Sequence, residues 1–268
     1  MKMYRRVMFC GIFFCAFPAG ALAQSAADEI AKYREQLQDG NPAELWEARG
    51  EALWQEKRGP NNVSLEKCDL GKGAGVVRGA YAELPHYFAD PGRVMDLETR
   101  LLHCMVTLQG FNAADLVKRR FGNGSQRSDF EALTAWITSE SKGIKMAVPM
   151  THAREKEAYR LGEAMFYFRG GTHDFACATC HGAAGKRIRL QDLPNLTERS
   201  GAQLAYTTWP AYRVSQGELR TFQWRLNDCF RQQRFPDLNF ASEASVALTT
   251  FLAYNANGAA FNAPALKR

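Results

Sequence analysis

The sequence predicts a mainly α-helical protein built from two tandem, related modules. Three segments recur in the same order along the 268 residues, and chance does not readily produce all three. The pairs are 50–54 with 162–166, 81–104 with 206–229, and 132–137 with 247–252. Apolar residues recur at helical spacings, and no stretch shows the sustained alternation of a long strand. A duplicated helical module accounts for all of these patterns.

Helix spacings and end signals predict the elements of each module. The predicted helices span 43–57, 95–108, 129–138, 156–168, 219–232 and 242–254. Asn41 and Pro42 mark the start of the first helix, and Asp129 and Ser242 are the expected caps of two others. The segment 141–151 contains a glycine and a proline and is the predicted junction between modules. The last ten residues are predicted to form a loose tail.

The first 23 residues have the pattern of a secretory signal peptide. Lys2, Arg5 and Arg6 precede an apolar stretch, and 21–23 supplies small residues for cleavage. No later stretch approaches the roughly 18 apolar residues of a membrane span, so we expect an exported periplasmic protein without a membrane anchor. The net charge of +6 includes those three basic residues, so the mature chain is only mildly basic. This charge does not favour a nucleic-acid partner.

Residues 177–181 read Cys-Ala-Thr-Cys-His, the attachment signature of a c-type haem. Cys177 and Cys180 would form thioethers with the haem vinyl groups, and His181 would ligate the iron. A zinc site would require a second ligand pair downstream, and the sequence has none. A thioredoxin-like pair requires a βαβ context and no histidine. We therefore predict one covalently attached haem c.

The repeat predicts that the first module carries no haem. Aligning Cys68 with Cys177 places Gly71 and Lys72 where the second module has Cys180 and His181. Cys104 is the counterpart of Cys229, so a Cys68–Cys104 disulfide is expected in an oxidising compartment. The predicted architecture is two tandem cytochrome c-like modules. Residues 24–148 form the haem-free one, and 149–268 form the haem-binding one.

The distal ligand of the haem iron is predicted by elimination. Between residue 182 and the C-terminus there is no methionine and no histidine, and Cys229 is the soft ligand in that span. A thiolate sixth ligand is therefore favoured. The alternatives are Lys186, Lys267, the upstream His152 or His173, or an open site.

Arg225 lies four residues before Cys229, one helical turn away on the same face. An arginine there stabilises a thiolate and offers a forked donor to an oxyanion. Arg100 stands in the same relation to Cys104 in the module without haem, so a structural role also remains open. Other arginines nearby in sequence are Arg213, Arg220, Arg231 and Arg234. We expect Arg231 and Arg234 to form a solvated face or to contact haem propionates.

The chain resembles the SoxA family of sulfur-oxidation cytochrome subunits. The resemblance covers essentially the whole mature chain. It rests on the signal peptide, the two modules, the Cys177–His181 motif and the segment Trp-Arg-Leu-Asn-Asp-Cys at 224–229. The substitutions at Gly71 and Lys72 place the chain with the monohaem members, which have a disulfide in the first module.

The resemblance implies an enzyme, a sulfurtransferase and oxidoreductase of the L-cysteine S-thiosulfotransferase type. Cys229 would be both haem ligand and catalytic cysteine persulfide, and Arg225 would bind substrate. The implied partners are a small SoxX-like cytochrome c subunit in a heterodimer, the carrier protein SoxY, thiosulfate and a cytochrome c electron acceptor. Thiosulfate would be joined oxidatively to a cysteine of the carrier.

Two alternatives from other functional classes remain. One is a plain electron-transfer cytochrome in which Cys229 only tunes the haem potential. The other is a thiosulfate dehydrogenase that joins two thiosulfates into tetrathionate. Supplying thiosulfate with and without the carrier separates the three, because each gives a different product.

Overall fold

A computed structural model of the chain describes residues 29, 32–33, 35–36, 40–188 and 191–267. The predicted signal peptide, residues 1–23, lies outside the described residues. No helix within the described ranges is long and apolar enough to cross a membrane.

Between residues 41 and 148, the first module contains four α-helices, two 3-10 helices and one short hairpin. The α-helices are α1 (Glu44–Gln55), α2 (Leu97–Thr107), α3 (Ala113–Lys118) and α4 (Asp129–Ser139). The 3-10 helices span Leu65–Lys67 and Tyr81–Glu83, and β1 (His86–Phe88) pairs antiparallel with β2 (Arg93–Met95). The N-cap of α1 is Ala43 rather than the predicted Asn41, whose side chain accepts a hydrogen bond from the Ala43 amide just before the helix. Asp129 is not a cap, because it forms ion pairs with Arg49 and Arg58 at 2.7 Å each.

The second module repeats this arrangement and has additional helices and strands. Its helices are α5 (Ala153–Tyr167), α6 (Cys177–His181), α7 (Arg199–Tyr206), α8 (Phe222–Gln232) and α9 (Glu243–Asn255). Its strands are β3 (Arg187–Ile188), β4 (Gln191–Asp192), β5 (Ala211–Arg213), β6 (Glu218–Arg220) and β7 (Ala265–Lys267). Strand β3 pairs antiparallel with β4, and β5 lies between antiparallel β6 and parallel β7. Ser242 accepts a hydrogen bond from the Ser245 amide, which confirms it as the cap of α9.

Strand β7 shows that the prediction of a loose C-terminal tail is wrong. Ala211 to Arg213 of β5 face Ala265 to Lys267 in register. The outer edge of β5 would otherwise leave backbone groups without partners, and a buried strand edge needs them. Leu266 is buried, and the Asn41 side chain donates to the Pro264 carbonyl at 3.0 Å. Residues 265–267 are therefore part of the fold.

The sequence repeat reflects the same close helix crossing in both modules. Helix α1 crosses α4 at Gly50, and α5 crosses α9 at Gly162. A Cβ at Gly50 would clash with the backbone carbonyl of Ala132, and one at Gly162 with that of Ala247. Only glycine permits such a close backbone approach, which explains why these segments recur together.

We expect Gly50→Ala to destabilise the protein by about 1–3 kcal/mol, because the added methyl group forces two packed helices apart. Gly50 lies in the module that lacks the haem motif, so guanidinium unfolding reports helix packing directly. Gly40→Ala is the matched control, since nothing lies within 4 Å of a Cβ at that position. Equal unfolding midpoints for the two variants would contradict the proposed close contact.

Equivalent residues of the two modules contact each other where the modules meet. Tyr81 donates to Tyr206 at 3.3 Å, and the two rings stack with an interplanar angle of 8°. The Gln223 amide donates to Glu98 at 3.1 Å. Each of these pairs is separated by 125 residues, the spacing of the repeat. The modules are therefore related by an approximate twofold axis, and one apolar core runs through both.

The junction between modules is packed rather than loose. Met146 and Val148 are buried. The Gly143 amide donates to the Phe261 carbonyl at 2.8 Å, and the Met146 amide donates to Ala259 at 2.9 Å. The predicted junction segment is thus held against the end of the second module.

Glu98 is a buried acid at the contact between modules. Burial and, to a smaller extent, the neighbouring Asp96 carboxylate together raise its pKa from 4.5 to about 8. Gln223 donates its side-chain amide to Asp96 at 2.7 Å, so both acids lie at the N-terminus of α8. A carboxyl group with a raised pKa binds its proton more tightly in the folded state than in the unfolded state.

The folded protein should therefore lose stability as the pH rises from about 5 to 8. Glu98 contributes fully below its ordinary pKa of 4.5 and loses its contribution as the pH passes about 8. One such group gives a slope of at most about 1.4 kcal/mol per pH unit. Glu98→Gln should flatten the decline in unfolding free energy, measured by denaturant titration at each pH. The exposed Glu51→Gln is the control, and identical slopes for both variants would refute the assignment.

Candidate functional site

Helix α6 carries the haem-attachment motif on one wall of a cleft. The Thr179 hydroxyl accepts a hydrogen bond from the Ala176 amide at 2.9 Å, which fixes the start of this short helix. Cys177 and Cys180 are both half-buried and lie outside any disulfide. Both side chains line the cleft together with His181. The two thiols and the imidazole are thus presented to one space.

The His181 ring is held by its own loop. Its Nδ1 lies 2.9 Å from the Pro194 carbonyl oxygen, which can only accept, so Nδ1 is the donor. The Nε2 atom is then unprotonated and available to a metal, as in other ligating histidines. Burial lowers the pKa of His181 despite the hydrogen bond to Pro194, and this favours the neutral ring. The histidine is prepared for ligation.

Helix α8 forms the opposite wall and contributes Cys229 and Arg225. Two adjoining cavities of about 270 and 390 Å³ meet at this wall. Cys229 and Arg225 line both cavities, and so do Cys177 and His181. Apolar and aromatic side chains line the larger cavity: Tyr206, Trp209, Phe222, Leu226, Leu248 and Leu252. Two free thiols, an available imidazole nitrogen, an opposing thiol and apolar walls fit a haem c.

Burial and the nearby Arg225 shift the pKa of the Cys229 thiol in opposite directions. Burial raises the pKa of its thiol, whereas Arg225 lowers that pKa. Asp228 accepts hydrogen bonds from Arg225 at 3.2 Å and from Arg231 at 2.7 Å, and so holds Arg225 in place. Burial raises the pKa of Cys177 to about 12, with a smaller contribution from nearby Cys229.

Most of the alternative distal ligands lie elsewhere. His152 caps α5 by accepting from the Arg154 amide, and its ring stacks on Tyr87 of the first module at 3.7 Å. His173 packs near Phe175, and neither it nor Lys186 lines the cleft cavities. Lys267 does line the larger cavity, with its Nζ 5.7 Å from the Trp209 ring centroid.

The structure separates the four nearby arginines into different roles. Arg231 and Arg234 are exposed and do not line the cavities, as expected of a solvated face. Arg220 is buried and forms an ion pair with Glu131 of the first module at 2.9 Å. Arg213 lines both cavities beside Cys229, a position that its place in the sequence does not predict.

The corresponding region of the first module is filled by its own side chains. The Cys68–Cys104 disulfide is present, which confirms that prediction, with the two Cα atoms 5.8 Å apart. The His86 ring lies against Gly71, at the position where the second module has Cys180. Arg100 stacks over the Phe88 ring at 4.1 Å. The first module therefore does not reproduce the arrangement of thiols and imidazole seen in the cleft.

Comparison with known proteins gives consistent matches. The SoxA/TsdA cytochrome c domain family matches residues 49–146 and again 161–261. The L-cysteine S-thiosulfotransferase subunit SoxA of Hydrogenophilus thermoluteolus is 47% identical over 263 residues, covering 95% of this chain and 96% of the relative. A protein of the same name from Hydrogenobacter thermophilus is 32% identical over 252 residues, covering 92% of each.

A solved structure shows the same fold. SoxXA from P. pantotrophus aligns with a TM-score of 0.71 and 22% identity, covering 88% of this chain and 84% of that one. The mainly helical, twice-repeated architecture predicted from sequence is confirmed. Because the cytochrome c domain matches twice and the relatives align over nearly their full length, this chain belongs to the SoxA family of haem c proteins.

Proposed function

We propose that this chain is the catalytic subunit of an L-cysteine S-thiosulfotransferase. One observation carries the proposal: Cys229 and Arg225, one turn apart on α8, face the Cys177–His181 helix across a single cleft. The names of the relatives from Hydrogenophilus and Hydrogenobacter support the same activity.

The second module, residues 149–268, would hold a single haem c. Cys177 and Cys180 would attach it covalently, and His181 and Cys229 would ligate its iron. The domain of residues 24–148 carries none, because it lacks the second cysteine and the histidine of the motif. When bound, the haem supplies the one-electron redox centre that the reaction requires.

The reaction joins thiosulfate to a cysteine of the carrier protein SoxY. A bond forms between the cysteine sulfur and the outer sulfur of thiosulfate. The thiol proton is released, and two electrons leave to cytochrome c. Arg225 holds the sulfonate oxygens through charge-assisted hydrogen bonds, which leaves the outer sulfur directed at Cys229. Cys229 acts as a cysteine persulfide in this exchange.

A small SoxX-like cytochrome c is the proposed partner subunit in the periplasm. The side chains of Tyr167 and Phe168 are 51% and 70% exposed, just before the haem-attachment segment. Ile188 on β3 is 42% exposed and lines the mouth of the cleft. Exposed aromatic and aliphatic side chains beside a cofactor site suit a protein interface.

Thiosulfate turnover with and without the purified carrier tests this function. The chain, expressed with its small cytochrome partner, is expected to form a carrier–thiosulfate conjugate detectable by intact mass. Tetrathionate without carrier would indicate a thiosulfate dehydrogenase, and neither product would indicate a plain electron-transfer cytochrome. The intact mass of the mature chain also reports one haem, one disulfide and any added sulfur.

A further inference from the structure

Arg213 lies in the cleft because the sheet of the second module places it there. It is the last residue of β5, opposite Glu218 of β6 and Lys267 of β7. Its carbonyl accepts hydrogen bonds from the Gln216 and Gly217 amides, both at 2.9 Å. Backbone pairing on both sides therefore determines the position of this arginine.

Arg213 has no ion-pair partner among the described residues, whereas Arg225 is paired with Asp228 at 3.2 Å. The Arg213 Nε is buried and has no hydrogen-bond partner within the described part of the chain. Burial and the nearby Arg225 both lower the pKa of Arg213, and the Asp228 carboxylate acts on it from a longer distance and raises its pKa. The two guanidinium groups thus form a cationic pair beside Cys229.

The first module shows what the same position looks like where the haem motif is absent. Phe88 ends β1 opposite Arg93, as Arg213 ends β5 opposite Glu218, so the two residues are equivalent. Arg100, the counterpart of Arg225, covers the Phe88 ring and pairs with Asp90 at 2.6 Å. In the first module, therefore, an aromatic ring and an acid accommodate one arginine. The second module instead has two arginines.

Contacts with the first module support Arg213 from behind. Trp224 lies between two arginines, with ring-centroid distances of 4.9 Å to the Arg220 guanidinium and 6.0 Å to that of Arg213. Arg220 is anchored by Glu131 and by the Gly122 carbonyl. The wall behind Arg213 is consequently built from both modules.

We propose that Arg213 is a second substrate-binding residue, which binds the sulfonate of thiosulfate together with Arg225 and sets the affinity for this dianion. The inference rests on the proposed function. A sulfonate has three oxygens, and two forked donors satisfy them better than one. Arg225 is paired with Asp228, whereas Arg213 is in no ion pair among the described residues, so Arg213 adds the further positive charge that a doubly charged substrate requires.

Calorimetric titration of thiosulfate into the haem-loaded complex with its partner subunit tests this role. Arg213→Gln is expected to weaken binding by about tenfold or more, as loss of a charge-assisted hydrogen bond predicts. Arg213→Lys should recover part of the loss. Arg154→Gln removes an equal charge from the exposed surface of α5 and should bind as the wild type does. The haem absorption spectrum and midpoint potential should be the same in all four proteins.

Affinity within threefold of the wild type in Arg213→Gln would overturn the proposal. A changed haem spectrum or potential in that variant would do the same, because it would assign Arg213 to the haem propionates. Arg213→Phe, which carries the residue found in the first module, replaces the glutamine variant if that fails to fold. If the wild type forms no conjugate, the proposed function fails instead, so the two failures are distinguishable.

Discussion

Cys229→Met is expected to retain haem and to lose thiosulfate conjugation by about a thousandfold or more. Cys177, Cys180 and His181 are unchanged, so covalent attachment and proximal ligation remain. A methionine thioether also ligates haem iron, and His/Met coordination raises the haem potential. It has no thiol and cannot carry an additional sulfur as a persulfide. The variant therefore tests the sulfur chemistry of Cys229 while the fold and the haem are retained.

The measurement is the rate of carrier conjugation by intact mass, with haem content from absorbance. Leu161→Met, on the exposed face of α5, controls for introducing methionine into the same module. Conjugation near the wild-type rate in Cys229→Met would exclude Cys229 as the reacting residue. Cys229 would then keep only its proposed role as a ligand of the haem iron.

Arg225→Ala is expected to lower the conjugation rate by about 10²–10³-fold while leaving the haem spectrum little changed. The reason is loss of the guanidinium that we propose holds the anionic end of thiosulfate beside Cys229. Arg225→Lys should restore part of the rate, since a lysine keeps the charge but not the forked geometry.

Arg231→Ala is the matched control for this arginine. Arg231 lies on the same helix and donates to the same carboxylate, that of Asp228, but its side chain is 73% exposed. Its loss should change the rate by no more than a few-fold. If Arg225→Ala shows normal thiosulfate kinetics, Arg225 has the structural role that Arg100 has in the first module.

The helices and the duplication could be predicted from sequence because both are local patterns. Apolar residues recur at helical spacings, and the close helix contacts at Gly50 and Gly162 leave short motifs that occur once in each module. The strands could not be predicted in this way. Each has two or three residues, too few to show alternation, and β7 pairs with a strand more than fifty residues earlier. Such pairing depends on tertiary contacts with a distant segment, and the residues 265–267 alone give no sign of them.

The site could be predicted where its residues are contiguous or one helical turn apart. The Cys177–His181 motif and the Arg225–Cys229 pair are both of that kind. Arg213 was recognised only as an arginine near the site in sequence, because the direction of its side chain depends on the sheet. The signal available was the mismatch with Phe88 at the repeat spacing of the two hairpins.

The twofold relation between the modules makes this chain a covalently linked pseudo-homodimer. Tyr81 and Tyr206 each complete the other's hydrogen bond, so substituting both should cost less than the sum of the two single changes. The second module alone would expose Tyr206 and Gln223, which contact the first module in this fold. The first module therefore serves as the permanent subunit partner on which the second module is assembled.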